Sequence, residues 1–231
     1  QHFKCENGKV GRNVIGMVPS AIPSDEYVII SAHYDHIGAL NGFVYNGADD
    51  NASGVTALMN LAEMFGSMRK AKMGPDKNII FVAFDAKEMS MAGSRHFVKN
   101  LSIPKGKITC AINMDQIGST LEPVHEGIKD YLIILGENTL KKEDRGKIGL
   151  CNRFYNIHLD IDYTFYSSEA FTTLYYKLSD QVAFQEAQIP ALLLTSGFHS
   201  HTYKISDDID LISYPTLKKR TVLVFYFVMM L

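Results

Sequence analysis

The chain has few cysteines, no tryptophan and no excess of basic residues. Its three cysteines, Cys5, Cys110 and Cys151, are far apart and form no CxxC pair, which argues against a disulfide framework and a cysteine metal site. The formal net charge is −2, and no stripe of lysine and arginine is present. We therefore expect neither a nucleic-acid partner held by phosphate contacts nor a polybasic membrane anchor.

The chain also lacks a hydrophobic run long enough to span a bilayer. The C-terminal run Val222–Leu231 is strongly apolar but much shorter than the about 20 residues that a membrane helix needs. We interpret this run as the buried end of a terminal helix and expect no membrane insertion. No signal peptide is visible. Since Gln1 is not a natural first residue, we interpret residues 1–12 as the remnant of an upstream segment.

Short apolar runs alternate with stretches of helical periodicity. The runs are nearly continuous, the pattern of strands that helices cover on both faces. Strands are predicted at Tyr27–Ala32, Asn78–Phe84, Tyr131–Leu135 and Ala191–Thr195, with weaker ones at Asn13–Val18 and Ile108–Met114. Helices are predicted from Val55 to Phe65 and over Gly93–Asn100, Leu140–Phe154, Gln181–Gln188 and Tyr214–Met230. This alternation predicts an α/β layer fold with a largely parallel sheet.

No repeat, low-complexity segment or Pro/Gly-rich linker divides the chain, so residues 1–231 are predicted to form a single domain. One segment, Asp160–Tyr176, is rich in aromatic residues. It suits either the wall of a substrate pocket or ordinary core packing. No sequence feature defines an oligomeric state.

Five polar clusters interrupt the apolar pattern, and four of them directly follow a predicted strand. They are the segments 33–36 (HYDH), 47–54 (GADDNASG), 85–88 (DAKE), 113–115 (NMD) and 198–202 (FHSHT). In open α/β sheets, ligands bind beyond the carboxyl ends of the strands, so these clusters are expected to converge. Carboxylates and imidazoles without thiolates suit zinc or a similar divalent ion in a hydrolytic site.

Two of these clusters have a local explanation as well. His33 and Asp35 are two residues apart at a strand end, so the carboxylate can accept a hydrogen bond from one ring nitrogen and leave the other to bind a metal. The GADDNASG segment can be a polar turn that caps a helix, because Asp, Asn and Ser favour that position. Capping alone does not explain two acidic residues and two glycines in one turn.

The motifs together resemble a known family. HYDH, GADDNASG, FDAKEMSMAGSRHF, INMD, SDQ and a late HT followed by DD are similar, in order, to the dizinc aminopeptidases of metallopeptidase family twenty-eight, over roughly residues 27–210. The resemblance implies a three-layer sandwich in which helices flank a mostly parallel mixed sheet. It also implies hydrolysis of the first peptide bond of a free N-terminus, with peptides as substrates. Relatives of this kind are often exported, so a periplasmic or extracellular location is expected.

The resemblance further implies two zinc ions or similar divalent ions. His33 and Asp115 would bind one ion, Glu88 and His201 the other, with Asp50 as the bridge. Asp35 would orient His33, and Asp49 would shape the turn without binding metal. His201 is preferred over His199 because it begins the HT pair. Asp180, in the SDQ segment where many members have SDH, is expected to face the site and contact substrate.

Lys87 is the main departure from the family pattern. Family members usually carry two consecutive glutamates here, a general base followed by a ligand, and Lys87 stands at the base position. Loss of a general base typically costs about 10²- to 10⁴-fold in rate. One hypothesis is that two neighbouring cations lower the pKa of Lys87 and leave it a poor base. The other is a weak or inactive relative that binds metal and peptide or a protein partner. A third alternative, a glutaminyl-cyclase-like activity, also normally uses an acidic residue at this position, so Lys87 does not favour it.

Overall fold

The computed structural model describes residues 1–6 and 8–231 of the chain. The strands of these residues are β1 (His2–Lys4), β2 (Val10–Arg12), β3 (Val14–Val18), β4 (Tyr27–His33), β5 (Gly38–Leu40), β6 (Phe43–Tyr45), β7 (Asn78–Phe84), β8 (Ile108–Met114), β9 (Tyr131–Leu135), β10 (Asp160–Asp162) and β11 (Ala191–Thr195). The helices are α1 (Gly54–Lys70), α2 (Ala92–Lys99), α3 (Lys147–Phe154), α4 (Glu169–Tyr175), α5 (Gln181–Glu186) and α6 (Tyr214–Met230). A π-helical turn, Ala48–Ser53, leads directly into α1.

Seven strands form one mixed sheet in the order β10-β9-β11-β8-β4-β7-β3. The neighbouring strands β11, β8, β4 and β7 are parallel, whereas β3 and β9 run antiparallel to their neighbours β7 and β11. The carboxyl ends of the four parallel strands therefore meet at one edge. Each of the six predicted strands is present, and the predicted mixed, largely parallel sheet is confirmed.

Helices cover both faces of this sheet, as the alternation along β4 requires. Val28 and Ile30 point to one face, where they share a hydrophobic cluster with Phe65 of α1 and with residues of α6. Ile29 points to the other face and packs in a second cluster with Phe184 of α5. Because both faces are covered, every residue of β8 is buried, which explains its apolar sequence. The three-layer arrangement is thereby confirmed.

The apolar C-terminal run forms the end of α6, as predicted. Phe227 and Val228 are buried in the same cluster as Phe65. Across residues 1–6 and 8–231, no helix has both the length and the apolar character needed to cross a bilayer. The three cysteines are buried and free.

Two helical elements differ from the sequence-based expectation. The helix predicted from Leu140 begins only at Lys147, because Gly146 before it is left-handed with φ 78° and the preceding residues form turns. Helix α4, within the aromatic segment, was not predicted. It begins after Ser168, whose hydroxyl accepts the backbone N–H of Phe171.

Candidate metal centre

Residues from four separate clusters converge at the carboxyl edge of the sheet. His33 is the last residue of β4, and Asp115 directly follows β8. Asp50 lies in the Ala48–Ser53 turn, and Lys87 and Glu88 lie just beyond β7. The predicted convergence at strand ends is therefore present for these residues.

His33, Asp50 and Asp115 form a first group, which could hold a metal ion. The His33 Nε2 atom lies 3.3 Å from Asp50 Oδ1 and 3.3 Å from Asp115 Oδ1, and all three residues are buried. Ligand atoms about 2.1 Å from a tetrahedral zinc ion lie about 3.4 Å from each other. The spacing of this group thus fits a zinc ion without rearrangement of the chain.

Hydrogen bonding defines which nitrogen of His33 is available to a metal. The His33 Nδ1 atom lies 3.1 Å from the backbone carbonyl oxygen of Asp35. Because a carbonyl oxygen only accepts hydrogen bonds, Nδ1 is the donor, and Nε2 faces the carboxylates of Asp50 and Asp115. Burial alone would lower the pKa of His33, but Asp115, Asp35 and Asp50 raise it well above its usual value. These carboxylates therefore favour a cation at Nε2, whether a proton or a metal ion.

Asp50 provides an independent sign of a cation site. Its side chain is fully buried, and neither carboxylate oxygen accepts a hydrogen bond from the described residues. A buried carboxylate without hydrogen bonds is costly unless a cation neutralises it. The donor set fits a divalent ion, and so does this carboxylate, which has ion-pair contacts to Lys87 and His33 but accepts no hydrogen bond from the described residues.

A second group consists of His36, Asp50 and Glu88, whose candidate ligand atoms lie within 4.8 Å of one another. The His36 side chain is 10% exposed, and neither of its ring nitrogens has a hydrogen-bond partner among residues 1–6 and 8–231. Its Nδ1 atom lies 4.0 Å from Asp50 Oδ2. Asp50 belongs to both groups, and its role as a bridge between two ions stays a prediction.

The two late histidines lie outside both groups. His201 Nδ1 lies 2.9 Å from the Ser206 hydroxyl, and His199 Nε2 lies 3.1 Å from Asp49 Oδ2. His201 therefore does not complete the second group, for which it was predicted. The turn that carries it directs the ring toward Ser206, and His36 is the histidine beside Asp50 and Glu88.

The Asp35 carboxylate lies closer to the backbone of residues 87–88 than to the imidazole of His33. Its two carboxylate oxygens accept the backbone N–H groups of Lys87 and Glu88, each at 3.0 Å. Its Oδ1 atom is 3.7 Å from His33 Nδ1, too long for a hydrogen bond, so its backbone carbonyl orients the imidazole instead. The expected carboxylate–imidazole hydrogen bond is thus replaced by one to the main chain.

Lys87 points into the centre of the carboxylates. Its Nζ atom lies 3.1 Å from Glu88 Oε1, 3.6 Å from Asp50 Oδ1 and 3.8 Å from Asp115 Oδ2. Burial alone would lower the pKa of Lys87, but Asp115, Asp50 and Glu88 raise it well above its usual value. The lowered pKa expected from the sequence applies when two metal ions lie beside the amine, and it stays a prediction.

The carboxylates of the site differ from one another in pKa. Burial raises the pKa of Glu88 despite the nearby Lys87. Burial acts in the same sense on Asp115, but Lys87 and His33 outweigh it and hold the pKa of Asp115 well below its usual value. The Ser179 hydroxyl also donates to Asp115 Oδ2 at 2.5 Å. Asp115 is consequently ionised and fixed in orientation, as a ligand must be.

Buried hydrogen bonds hold the turn that carries Asp50. Asp207, which is fully buried, accepts the backbone N–H groups of Asp49 and Asp50 at 2.9 and 3.0 Å. The Asp49 carboxylate accepts the N–H of Gly118 at 2.6 Å and does not face the metal groups. The role of Asp207 was missed, although the sequence pattern of HT followed by DD contains it.

A pocket opens directly beside Lys87 and Asp115. Its apolar wall comes from the aromatic segment and two neighbouring regions, through Phe165, Tyr175, Leu178, Leu193 and Phe198. Gln116, Ser179, Thr195 and Tyr203 contribute polar groups. Two residues of the aromatic segment thus line a pocket next to the candidate metal ligands.

Asp180 does not reach this pocket. Its side chain has no exposed surface, and among the described residues neither carboxylate oxygen has a partner at hydrogen-bond distance, although Ser94 lies close enough to influence its pKa. Burial raises its pKa to about 6. Ser179, its neighbour in sequence, lines this pocket, and the contact of Asp180 with substrate stays a prediction.

The sheet topology and the ligand groups at its carboxyl edge define an α/β protein with the fold of zinc aminopeptidases. The model of Peptidase family M28 matches residues 13–228. The chain belongs to this family, which confirms the resemblance drawn from the motifs.

Two curated proteins illustrate the sequence similarity. Aminopeptidase YwaD of Bacillus subtilis is 31% identical over 126 residues, 54% of this chain and 26% of that protein. A glutamate carboxypeptidase 2 homolog of Caenorhabditis elegans is 32% identical over 108 residues, 46% of this chain and 13% of that protein. Each match therefore spans only a small part of the longer relative.

Solved structures share the fold over nearly the whole chain. The zinc aminopeptidase BSAP from Bacillus subtilis has a TM-score of 0.74 at 22% identity, covering 96% of this chain and 50% of that one. A glutaminyl cyclase from Bacteroides thetaiotaomicron, bound to N-acetylhistamine, has a TM-score of 0.72 at 18% identity, covering 99% and 82%. At such identities the likeness establishes the fold alone.

Proposed function

We propose that the chain is a zinc-dependent exopeptidase that hydrolyses N-terminal residues from peptides. The observation that carries this proposal is the first group, in which His33 Nε2 lies 3.3 Å from both Asp50 and Asp115. Membership of Peptidase family M28 supports a hydrolase. Divalent ions bound at this edge would polarise a substrate carbonyl and activate water.

The proposed ligands belong to two positions that share Asp50. His33 and Asp115 would complete the first position, and Glu88 would contribute to the second. The sequence predicted His201 as the histidine of the second position. The unpartnered ring nitrogens of His36 beside Asp50 and Glu88 support His36 instead. A second ion, bound much more weakly than the first, is part of this proposal.

The pocket beside Asp115 would receive the side chain of the residue that is released. Its wall of Phe165, Tyr175 and Leu193 suits an apolar or aromatic side chain, because burial of apolar surface stabilises the complex. Gln116 and Ser179 line the same pocket and would offer polar contacts to the peptide backbone. An N-terminal Leu or Phe is therefore the proposed preference.

Lys87 supports a second candidate, a weak or inactive peptidase that binds metal and peptide or a protein partner. An ammonium group paired with Glu88, Asp50 and Asp115 has no lone pair with which to take a proton from water. We propose that the side chain at the base position therefore accepts a proton poorly and that hydrolysis by this chain is slow.

The domain organisation and the location of the protein are also part of this proposal. The continuous sheet from β3 to β10 supports a single domain over residues 1–231. An exported location, periplasmic or extracellular, is proposed from the family resemblance of the motifs.

Metal analysis combined with an aminopeptidase assay tests the proposal. The purified full-length protein is analysed for zinc and assayed on Leu-p-nitroanilide and Ala-p-nitroanilide, with and without chelator. Bound zinc and slow, chelator-sensitive release from the Leu substrate are expected. Bound zinc without cleavage of any peptide would support the binding relative. A protein that takes up no zinc even at saturating concentration would contradict both.

A further inference from the structure

Lys87 lies where the two ligand groups meet. Its ammonium nitrogen lies within 4.0 Å of three carboxylates. Asp50 belongs to both groups, Asp115 to the first group and Glu88 to the second. The Lys87 side chain is only 4% exposed. Water therefore does little to screen its charge from anything bound beside it.

A count of charges shows what the ammonium does to the site. Asp50, Glu88 and Asp115 together contribute three negative charges, and Lys87 contributes one positive charge. The remainder of two negative charges among these four groups is balanced by a single divalent ion. A second ion would leave the site with an excess of positive charge, in a region largely shielded from solvent.

Tyr203 holds the ammonium in this position. Its hydroxyl is 3.3 Å from Lys87 Nζ, and its ring centroid is 5.5 Å from the same atom, which is within the range of a cation–π contact. The lysine is thus held on one side by an aromatic ring and on the other by carboxylates. It is a fixed part of the site.

We propose that Lys87 acts as a built-in cation that takes the place of the second metal ion. The first group binds one divalent ion tightly, and the second group, His36, Asp50 and Glu88, binds another only when the ammonium withdraws. The two ions consequently bind with very unequal affinities, and Lys87 determines the difference. This inference rests on the metal site of the proposed function.

The second group still has what an ion needs once the ammonium is removed. The His36 side chain is nine-tenths buried, and in the described part of the chain neither ring nitrogen has a hydrogen-bond partner. A neutral side chain at position 87 therefore leaves a complete three-ligand position. A variant with such a side chain should gain an ion instead of losing one.

The experiment measures zinc stoichiometry and affinity. The full-length protein is freed of metal with a chelator and titrated with zinc by calorimetry, and bound zinc is counted after gel filtration. We expect one ion per chain in the wild type and two in Lys87→Gln. Like charges at close range cost several kcal/mol, so the second affinity should rise by about 100-fold or more.

Three further variants separate charge at this point from other effects. Lys87→Arg keeps the charge and should bind one ion like the wild type. Lys218→Gln removes the same charge from an exposed position on α6 and should also leave the count at one. His36→Ala in the Lys87→Gln background should return the count from two to one.

Four results would overturn the inference. They are two ions of similar affinity in the wild type, a single ion in a folded Lys87→Gln variant, two ions in Lys87→Arg, and two ions after loss of His36. Failure of the proposed function looks different, because then no variant that keeps the first group binds even one ion. Circular dichroism and the unfolding midpoint of each variant confirm that the compared proteins are folded.

Discussion

The carboxylate of Asp35 accepts the backbone N–H of Glu88 at 3.0 Å, and its other oxygen accepts the N–H of Lys87 at the same distance. A single side chain from the β4 end therefore fixes the segment after β7. Its backbone carbonyl also receives the Nδ1 atom of His33. Asp35 thus links the two candidate metal groups without contacting an ion itself.

Replacement of Asp35 by Asn should weaken metal binding while the chain stays folded. An amide offers one acceptor oxygen where the carboxylate offers two, so the segment at residues 87–88 loses a charged anchor. Loss of such supporting contacts typically costs about 10- to 100-fold in metal affinity. Competition with a chromogenic chelator measures the zinc affinity. Asp76→Asn, an exposed change of equal charge, is the control, and an unchanged affinity in Asp35→Asn would refute the linking role.

Lys87→Glu should increase peptide hydrolysis sharply. The variant restores a carboxylate at the proposed general-base position and removes the ammonium now paired with Asp50 and Glu88. A positioned general base contributes about 10²- to 10⁴-fold in rate. The measurement is kcat on Leu-p-nitroanilide at saturating zinc. Lys87→Gln is the matched control, since it removes the charge without adding a base. Equal rates in the two variants, with metal bound, would show that position 87 is not the base position.

Asp207→Ala should destabilise the fold. Asp207 is fully buried, and its loss leaves the backbone N–H groups of Asp49 and Asp50 without acceptors. Each buried unsatisfied group costs about 1–3 kcal/mol, so the free energy of unfolding should fall by about 2–5 kcal/mol. Urea unfolding in chelator measures this change. Asp208→Ala, at the neighbouring exposed position, should cost far less, and similar losses in both variants would count against the assigned role.

The buried Asp180 makes stability depend on pH in a defined direction. Burial raises its pKa to about 6 from 3.8, so the folded state prefers the protonated acid. The resulting stabilisation is fully present below the unfolded value and is lost as pH rises through the folded value. A shift of this size corresponds to about 3 kcal/mol.

Asp180→Asn removes this dependence, because the amide has the shape of the protonated acid and does not ionise. Relative to the wild type, the variant should gain about 3 kcal/mol in free energy of unfolding between pH 4 and pH 8. Urea unfolding of the metal-free protein across this range measures the difference. A constant difference between the two proteins over the whole range would show that Asp180 does not titrate as a buried acid.

Much of the architecture was predictable because it depends on patterns along single strands. The nearly continuous apolar runs of β4, β7, β9 and β11 indicated strands covered on both faces, and the ends of the predicted strands indicated where the polar clusters would meet. His33 and Asp115, which sit at or beside strand ends, were correctly expected at that edge. Their positions follow from the sheet, and the pattern of apolar runs predicts that sheet.

The positions of the other site residues depend on the geometry of turns, which the spacing of residues along the sequence does not encode. The segment with His201 includes two residues with left-handed backbone, Gly197 at φ 88° and Tyr203 at φ 59°. Such turns decide which side chain faces the site, and here Tyr203 does so while His201 turns to Ser206. His36 could have been considered from the HYDH motif, but its approach to Glu88 depends on the loop after β4. The ion pairs of Lys87 were likewise visible only once three strand ends were placed together.

Anomalous diffraction at the zinc absorption edge, from crystals of the wild-type protein grown in zinc, tests the central claim most directly. We expect one strong anomalous peak within about 2–2.3 Å of His33 Nε2, Asp50 and Asp115. We also expect a weak peak or none between His36 and Glu88, with the Lys87 ammonium beside Asp50. Zinc bound elsewhere on the molecule, and no peak among His33, Asp50 and Asp115, would contradict the account.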